Sequence, residues 1–410
     1  MSYFFVDAVQ FADLLVFLPT SQDVSGLTTR VPIVEPKNDI SDGNFDRLFA
    51  ALNGGDTLRL KINCTQLPTN SLAGPIRIYL EICLRCNANC NYCLNKAGSA
   101  RLNELSTEEL LRTIENFGRD GVFEVRLTGG ETTLHPDFYE IAQSVWQNGM
   151  ALSVNSNLLI NKTKLDKLIK LSPQLLITSL DAAEKPHTNH RGNGYQYIVK
   201  NVRILREAGV PLRLNCAINR DTLSCIEGFI DEFAPLGCGF CFILLRPTGR
   251  AVEKFDPPPL SEIIPVIRMI EEKKQKYAGV YFSTSFHVVM ERELTISGIN
   301  LTGCNAIQKS FNVNSDGTVL PCAFLFELSP EKFTLGNIRN NNYSILEIWS
   351  QSELLRALRK RSSNCNMRCI GCSRFKHDCL GTCVFMELYS ELSGKPDPYC
   401  KISTEISSLA

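Results

Sequence analysis

Three cysteines, Cys86, Cys90 and Cys93, fall within eight residues, and eight more, Cys304, Cys322, Cys365, Cys369, Cys372, Cys379, Cys383 and Cys400, crowd the last quarter of the chain. Nothing else in the 410 residues restricts the fold so strongly. The total of 17 cysteines is odd, and the N-terminus has no basic stretch ahead of an apolar one. An unexported, cytoplasmic protein is therefore expected, in which structural disulfides do not persist and the thiols bind metal in two separate regions. The longest apolar runs, around Leu14 to Pro19 and Phe240 to Leu245, fall far short of the roughly 20 residues of a membrane span, so no membrane partner is expected. Lys+Arg and Asp+Glu number 43 each, which leaves no net field to hold a phosphate backbone and argues against nucleic acid.

From about Ile76 to Gln275, short β-rich apolar runs alternate with helical patterns, the mark of repeated βα units and a parallel sheet. Strands are expected from Ile76 to Ile82, Phe123 to Leu127, Leu152 to Asn155, Leu175 to Leu180, Leu212 to Ile218 and Phe240 to Leu245. The first helix has Ser106 as N-cap, Glu109 three residues on, the stripe Leu110, Ile114 and Phe117, and Gly118 as its expected end. Further helices fit Asp137 to Gln147, Lys162 to Leu171, Gln196 to Ala208 and Ser261 to Lys274. The pattern suits an α/β chain folded as a partial TIM-type (β/α)6 barrel over residues 76–290, with its reactive face at the C-terminal ends of the strands. Residues 1–75 carry no ligand-like cluster and form an N-terminal appendage. Residues 291–410 form a small cysteine-rich domain held by metal sites rather than by a large core.

The loop from Glu81 to Cys93 follows the first strand, which puts its thiolates on the reactive face. A structural zinc needs a fourth ligand, and none lies in Leu94 to Gly98. Cys83 ends an apolar strand, where a free cysteine is usually a small hydrophobe. The spacing favours iron-sulfur over zinc.

At Cys86-x3-Cys90-x2-Cys93 the sequence resembles the radical S-adenosylmethionine (SAM) superfamily. The resemblance implies a 4Fe-4S cluster with one iron open to the amino and carboxylate groups of SAM. Its reduced form cleaves the sulfonium to a 5′-deoxyadenosyl radical that abstracts hydrogen from carbon. Later strand ends are similar in order. Tyr92 matches an aromatic residue near the adenine. Thr128-Gly129-Gly130-Glu131 resembles the Gly-Gly-Glu motif, where the glycines are implied to let the backbone approach the ligand and Glu131 to receive the methionyl ammonium; Thr132 stands where proline is usual. Asn155 is implied at the ribose, Ser179 and Arg191 at the SAM carboxylate, and Ile218 with Asn219 near the adenine.

Toward the C-terminus, Cys304-x12-Gly317-x4-Cys322, Cys369-x2-Cys372-x6-Cys379-x3-Cys383 and Cys400 offer seven thiols, too many for one tetrahedral ion. The pattern resembles the SPASM domain, as do Leu335 to Ile338 and Ile348 to Ser350. That resemblance implies two auxiliary 4Fe-4S clusters, three clusters in all. Cys304, Cys322 and Cys383 would ligate the first, and Cys369, Cys372, Cys379 and Cys400 the second. The x6 spacing is one longer than usual. No cysteine lies between Cys304 and Cys322, so the fourth ligand of the first cluster is Cys241, Cys238, Cys365 or an open iron position. Cys64, Cys83, Cys216 and Cys225 read as core or surface residues. Arg246 and Arg250 place two guanidiniums after the sixth strand, where they could receive a carboxylate or simply form an exposed loop.

Enzymes of this architecture mostly modify peptides. The sulfatase maturases among them place an aspartate directly after the second SPASM cysteine, and here Cys322 is followed by Ala323. The expected function is thus a radical SAM maturase of a ribosomally made precursor peptide, producing a crosslink, an epimer or a backbone excision. A sulfatase-maturase-like protein oxidase and a small-molecule radical SAM dehydrogenase are the alternatives. The implied partners are the precursor peptide, a separate leader-peptide recognition protein and a flavodoxin- or ferredoxin-type electron donor.

Overall fold

Strand β1 (Arg77–Cys83) alternates Ile78, Leu80 and Ile82, all at most 1% exposed, with Arg77, Tyr79 and Glu81. That period of two assigns one face to an apolar core and the other to a polar interior. The computed structural model describes residues 74–277, 280, 282–284, 305–364, 383–395 and 397–400. Cys64, Cys304, Cys365, Cys369, Cys372 and Cys379, with residues 1–73, lie outside them.

Five further strands continue the pattern: β2 (Glu124–Gly129), β3 (Ala151–Asn155), β4 (Leu175–Ser179), β5 (Leu212–Ile218) and β6 (Gly239–Leu244). Each pairs in parallel with the one before, and β7 (Phe282–Thr284) pairs with β6. The connections are α1 (Thr107–Arg119), α2 (Phe138–Gln147), α3 (Lys162–Leu171), α4 (Glu184–Arg191) with α5 (Tyr195–Glu207), and α6 (Ile226–Phe233); α7 (Leu260–Lys276) follows β6. The six expected parallel strands of a partial barrel are present. On the far side of β1, β8 (Ser310–Val313) pairs in parallel, and β9 (Thr318–Leu320) and β10 (Gly336–Asn337) add antiparallel strands, giving one sheet ordered β10-β9-β8-β1-β2-β3-β4-β5-β6-β7. The C-terminal region therefore extends the barrel sheet. No helix among the described residues is long and apolar enough to cross a membrane.

Helix α1 begins with the expected capping box, Ser106 Oγ accepting from Glu109 N while Glu109 Oε2 accepts from Ser106 N at 2.9 Å. Its end differs from expectation. The helix runs past Gly118 to Arg119 and is capped by Asp120; Gly118 is kept small by α2, since a Cβ there would lie 2.8 Å from Asn148 O. Helix α4, Glu-Lys-Pro-His-Thr-Asn-His-Arg, carries no apolar stripe to announce it.

The polar interior begins at a buried charge cluster. Glu124 Oε2 accepts from Arg77 Nε at 2.6 Å, and Glu124 Oε1 accepts from Arg126 Nη2 at 3.1 Å and Ser153 Oγ at 2.7 Å. Burial alone would raise the carboxyl pKa, but Arg126 and Arg77 hold it at about 2. Its stabilising contribution is complete above the ordinary value of 4.5 and is lost as pH falls toward 2. Glu124→Gln, which leaves two cations short of a counter-charge, is expected to cost about 3 kcal/mol at neutral pH. Thermal midpoints measured against pH should show the gap from wild type closing below 4.5; a gap independent of pH would contradict this account.

Candidate active site

The loop after β1 is tied down on every side. Cys86 N donates to Gly98 O at 3.0 Å and Gly98 N to Leu84 O at 3.1 Å, closing the loop at its root. Glu81, 2% exposed, gathers Arg101 Nη2 at 3.0 Å, Ser315 Oγ at 2.8 Å and Asn95 Nδ2 at 3.0 Å. It thereby joins β1, the return of the loop and the turn after β8. Cys86, Cys90 and Cys93 are half-buried free thiols on this loop. Ala88 N and Ala97 N each donate to a sulfur, Cys86 Sγ and Cys93 Sγ respectively, at 3.4 Å. Acceptor sulfurs of this kind suit thiolate ligands. Among the described residues no three His, Cys, Asp or Glu side chains converge on one point as a single-ion site would need. A four-iron cluster asks for a different spacing, with each thiolate on a separate iron. Cys83 is fully buried, donates to Glu131 O, and is pushed up to about 12 by burial, as suits a core thiol.

The two glycines of the second strand end have a role that sequence does not reveal. Gly129 has φ +149°, and a Cβ there would lie 2.1 Å from Cys83 O; a Cβ on Gly130 would lie 2.2 Å from Arg85 O. The close approach they permit is to the root of the cysteine loop itself, with Gly130 N donating to Cys83 O at 2.9 Å and Glu131 N to Arg85 O at 2.8 Å. The Glu131 carboxylate is turned into the fold with no exposed area. Its Oε1 accepts from Thr133 N, Thr133 Oγ1 and Ser156 Oγ, and its Oε2 accepts from Asn157 N at 2.6 Å. Oε1 is filled, and only Oε2 has capacity for a further donor. Burial raises its pKa against those hydrogen bonds. Thr132, where the motif usually has proline, donates its hydroxyl to Asn155 O at 2.7 Å and so joins the second and third strand ends.

Asn155 Oδ1 and Asn219 Nδ2 are buried polar atoms without a hydrogen-bond partner. Both sit at strand ends, where a buried polar atom without a protein partner needs a water or a ligand to satisfy it. Ser179 stands half-buried at the end of β4, in register with Asn215 of β5 and, through it, Cys241 of β6. Ile218 is fully buried in the core, with Asn219 beside it.

Asp181, to which no sequence motif assigns a role, organises the fourth strand end. It is fully buried, and its carboxylate accepts from the Tyr92 hydroxyl, from Arg191 Nε at 3.1 Å and from Ala217 N at 3.3 Å. The Arg191 guanidinium lies 4.9 Å from the Tyr92 ring centroid. Burial pushes Cys90 upward and the Arg191 cation counters it. Tyr92 also meets the His190 ring at 5.4 Å, and Asn91 N donates to His190 O at 2.8 Å. The structure thus brings Cys90, Tyr92 and Arg191 together, linked through an aspartate.

Cys322 and Cys383 come together from distant parts of the sequence. Burial, and then the neighbouring Cys383, push the Cys322 thiol up to about 11. They occupy the N-cap positions of helices Ala323–Leu328 and Val384–Ser393, and at Cys322 the nearby backbone amides of Leu325 and Phe324 only partly offset the rise caused by burial. Cys238, a candidate fourth ligand, is instead fully buried in the apolar core and raised to about 12. Cys216 is also fully buried, and Cys225 and Cys241 are half-buried. Arg250, read as a receptor for a carboxylate or an exposed loop residue, is bound to the cysteine loop through the carbonyls of Cys90 and Ala97. Arg246 is buried with its guanidinium 4.9 Å from the Phe324 ring centroid.

The sequence model of the radical SAM superfamily matches residues 80–233, and that of SPASM, an iron-sulfur cluster-binding domain, matches residues 304–373. Mycofactocin maturase MftC of Mycolicibacterium smegmatis is 26% identical over 341 residues, 80% of this chain and 83% of that one. AdoMet-dependent heme synthase of Methanosarcina barkeri is 26% identical over 304 residues, 70% of this chain and 85% of that one. Streptococcus suis SuiB in its crystal structure bound to S-adenosylmethionine has the same fold, with a TM-score of 0.65, 18% identity, and coverage of 88% of this chain and 82% of that one. SuiB bound to precursor peptide SuiA superposes with a TM-score of 0.63, at 17% identity and with 88% and 81% covered.

Proposed function

Because the chain is a radical SAM enzyme with a SPASM domain, we propose that it modifies a ribosomally made precursor peptide. The observation that carries the proposal is the juxtaposition at the reactive face. The Cys86–Cys93 loop lies at one end of a polar barrel interior, and the β6 loop joins it to the Cys322 and Cys383 region. This combination is supported by the likeness, over 88% of the chain, to a protein solved with its precursor peptide.

In this reading Cys86, Cys90 and Cys93 would hold a 4Fe-4S cluster that binds SAM. When bound and reduced, this pair supplies the carbon-centred radical that abstracts hydrogen. The chain's own groups bind and orient. Asn155 Oδ1 and Asn219 Nδ2, lacking protein partners, accept from and donate to the nucleoside. Ser179 and Arg191 would face the carboxylate, Glu131 Oε2 would accept a hydrogen bond from the amino group, and Gly129, Gly130, Tyr92 and Ile218 would shape the walls. Cys304, Cys322 and Cys383, and separately Cys369, Cys372, Cys379 and Cys400, hold two auxiliary clusters. A flavodoxin- or ferredoxin-type protein delivers the electron, and a separate protein presents the leader.

The test is the intact mass of a small peptide encoded beside this protein, after anaerobic co-expression. Loss of two hydrogens or of a residue-sized fragment is expected, or deuterium uptake from solvent at unchanged mass for an epimerisation. Neither change would favour the second reading, oxidation of a small molecule, for which the similarity to a heme synthase is the supporting observation.

A further inference from the structure

We propose that the strap Leu245–Arg250, which leaves the C-terminal end of β6, is a positioning element that fixes the SAM-cluster loop against the auxiliary cysteine region, with Arg250 as its principal residue. At one end, Arg250 Nη1 donates to Cys90 O at 2.9 Å, Arg250 Nη2 donates to Ala97 O, and Arg250 N donates to Cys93 O at 3.0 Å. One residue thereby fixes three carbonyls, two of them on cluster cysteines. Gly249, at φ +60°, makes room for this: a Cβ would lie 2.3 Å from Cys93 O and 2.5 Å from Leu94 O. These contacts are to backbone, so no side chain can yield to relieve them.

At the other end the strap reaches groups next to three C-terminal cysteines. The buried Arg246 guanidinium covers Phe324, two residues past Cys322, and Phe324 meets the Phe385 ring at 5.6 Å, two residues past Cys383. Tyr399, just before Cys400, donates its hydroxyl to Leu245 O at 2.7 Å. A second tie runs in parallel, since Lys96 Nζ lies 2.9 Å from Glu327 Oε2. A planar guanidinium suits this task because it can span two carbonyls in fixed directions, which an ammonium cannot. The inference does not depend on the substrate being a peptide.

The test compares full-length, anaerobically reconstituted wild-type protein with Arg250→Gln, Arg250→Lys and Tyr399→Phe. For Arg250→Gln, amide exchange in residues 90–97 and the KM for SAM should each rise by about tenfold, matching the loss of charge-assisted hydrogen bonds. Its kcat for SAM cleavage and its iron content should be close to wild type, and its thermal midpoint should move by no more than about 3 °C. Arg250→Lys should behave like Arg250→Gln. Tyr399→Phe, which removes one hydroxyl, should speed exchange in residues 245–250 and, to a smaller extent, in residues 90–97. Wild-type exchange and KM in Arg250→Gln, rescue by lysine, or a general fall in thermal midpoint would each overturn the role of Arg250. Faster exchange in Tyr399→Phe confined to residues 245–250 would overturn the coupling.

Discussion

Replacing Cys86, Cys90 and Cys93 together by alanine is expected to abolish reductive cleavage of SAM and to lower the iron content from about twelve to about eight per chain. The three thiols share one loop and are half-buried; Cys86 accepts hydrogen bonds from Ala88 N and Asn157 Nδ2, and Cys93 accepts from Ala97 N. Nothing else among the described residues offers a comparable set at the reactive face. Cys83, close in sequence, is buried and held protonated well past neutral pH. Iron and zinc analysis of the reconstituted wild type and the triple variant, with product quantification after reduction, checks both halves of the prediction. Retained cleavage in the triple variant would remove the assignment of these ligands. A wild type holding about four irons with stoichiometric zinc would instead show that the C-terminal thiols build no auxiliary iron-sulfur clusters.

Gly130→Ala is expected to reduce SAM cleavage by about a hundredfold, because misplacement of reacting groups by about 1 Å has effects of that order. The added carbon would lie 2.2 Å from Arg85 O and 2.5 Å from Leu84 O, both backbone atoms just before Cys86. Either the loop root shifts or β2 does, and in both cases the 2.8 Å bond from Glu131 N to Arg85 O is lost. The variant should fold, since the collision is confined to the ends of two strands, and circular dichroism with a thermal melt would establish that. Wild-type cleavage by a folded Gly130→Ala protein would show that the loop root tolerates the shift.

Much of the site was legible in local pattern. The cysteine spacing, the capping box at Ser106 and Glu109, and the strand runs are all encoded within a few residues of one another, and the structure contains the cap and strands accordingly. Position within such a pattern did not disclose what a residue touches. The glycines of Gly129-Gly130-Glu131 were read as making room for a ligand, and the pattern gave no sign that their missing side chains also admit the root of the cysteine loop. Arg250 was read as facing solvent or a substrate, whereas it is bound to the carbonyls of Cys90 and Ala97, which lie more than 150 residues away. Asp181 carried no signal beyond its place after Ser179-Leu180, although it holds Tyr92, Arg191 and Ala217 at once.

By itself the sequence determined the alternation of strand and helix and the residues available as metal ligands. Hydrophobic period and thiol spacing act over short stretches of chain, where neighbours in sequence are neighbours in space. Only the tertiary structure decided that the C-terminal region joins the barrel through β8, that Cys322 meets Cys383, and that the β6 strap connects the two cysteine regions. Those pairings depend on strand register and on which buried polar groups find partners. Both are fixed by the packing of the whole molecule rather than by any segment of it.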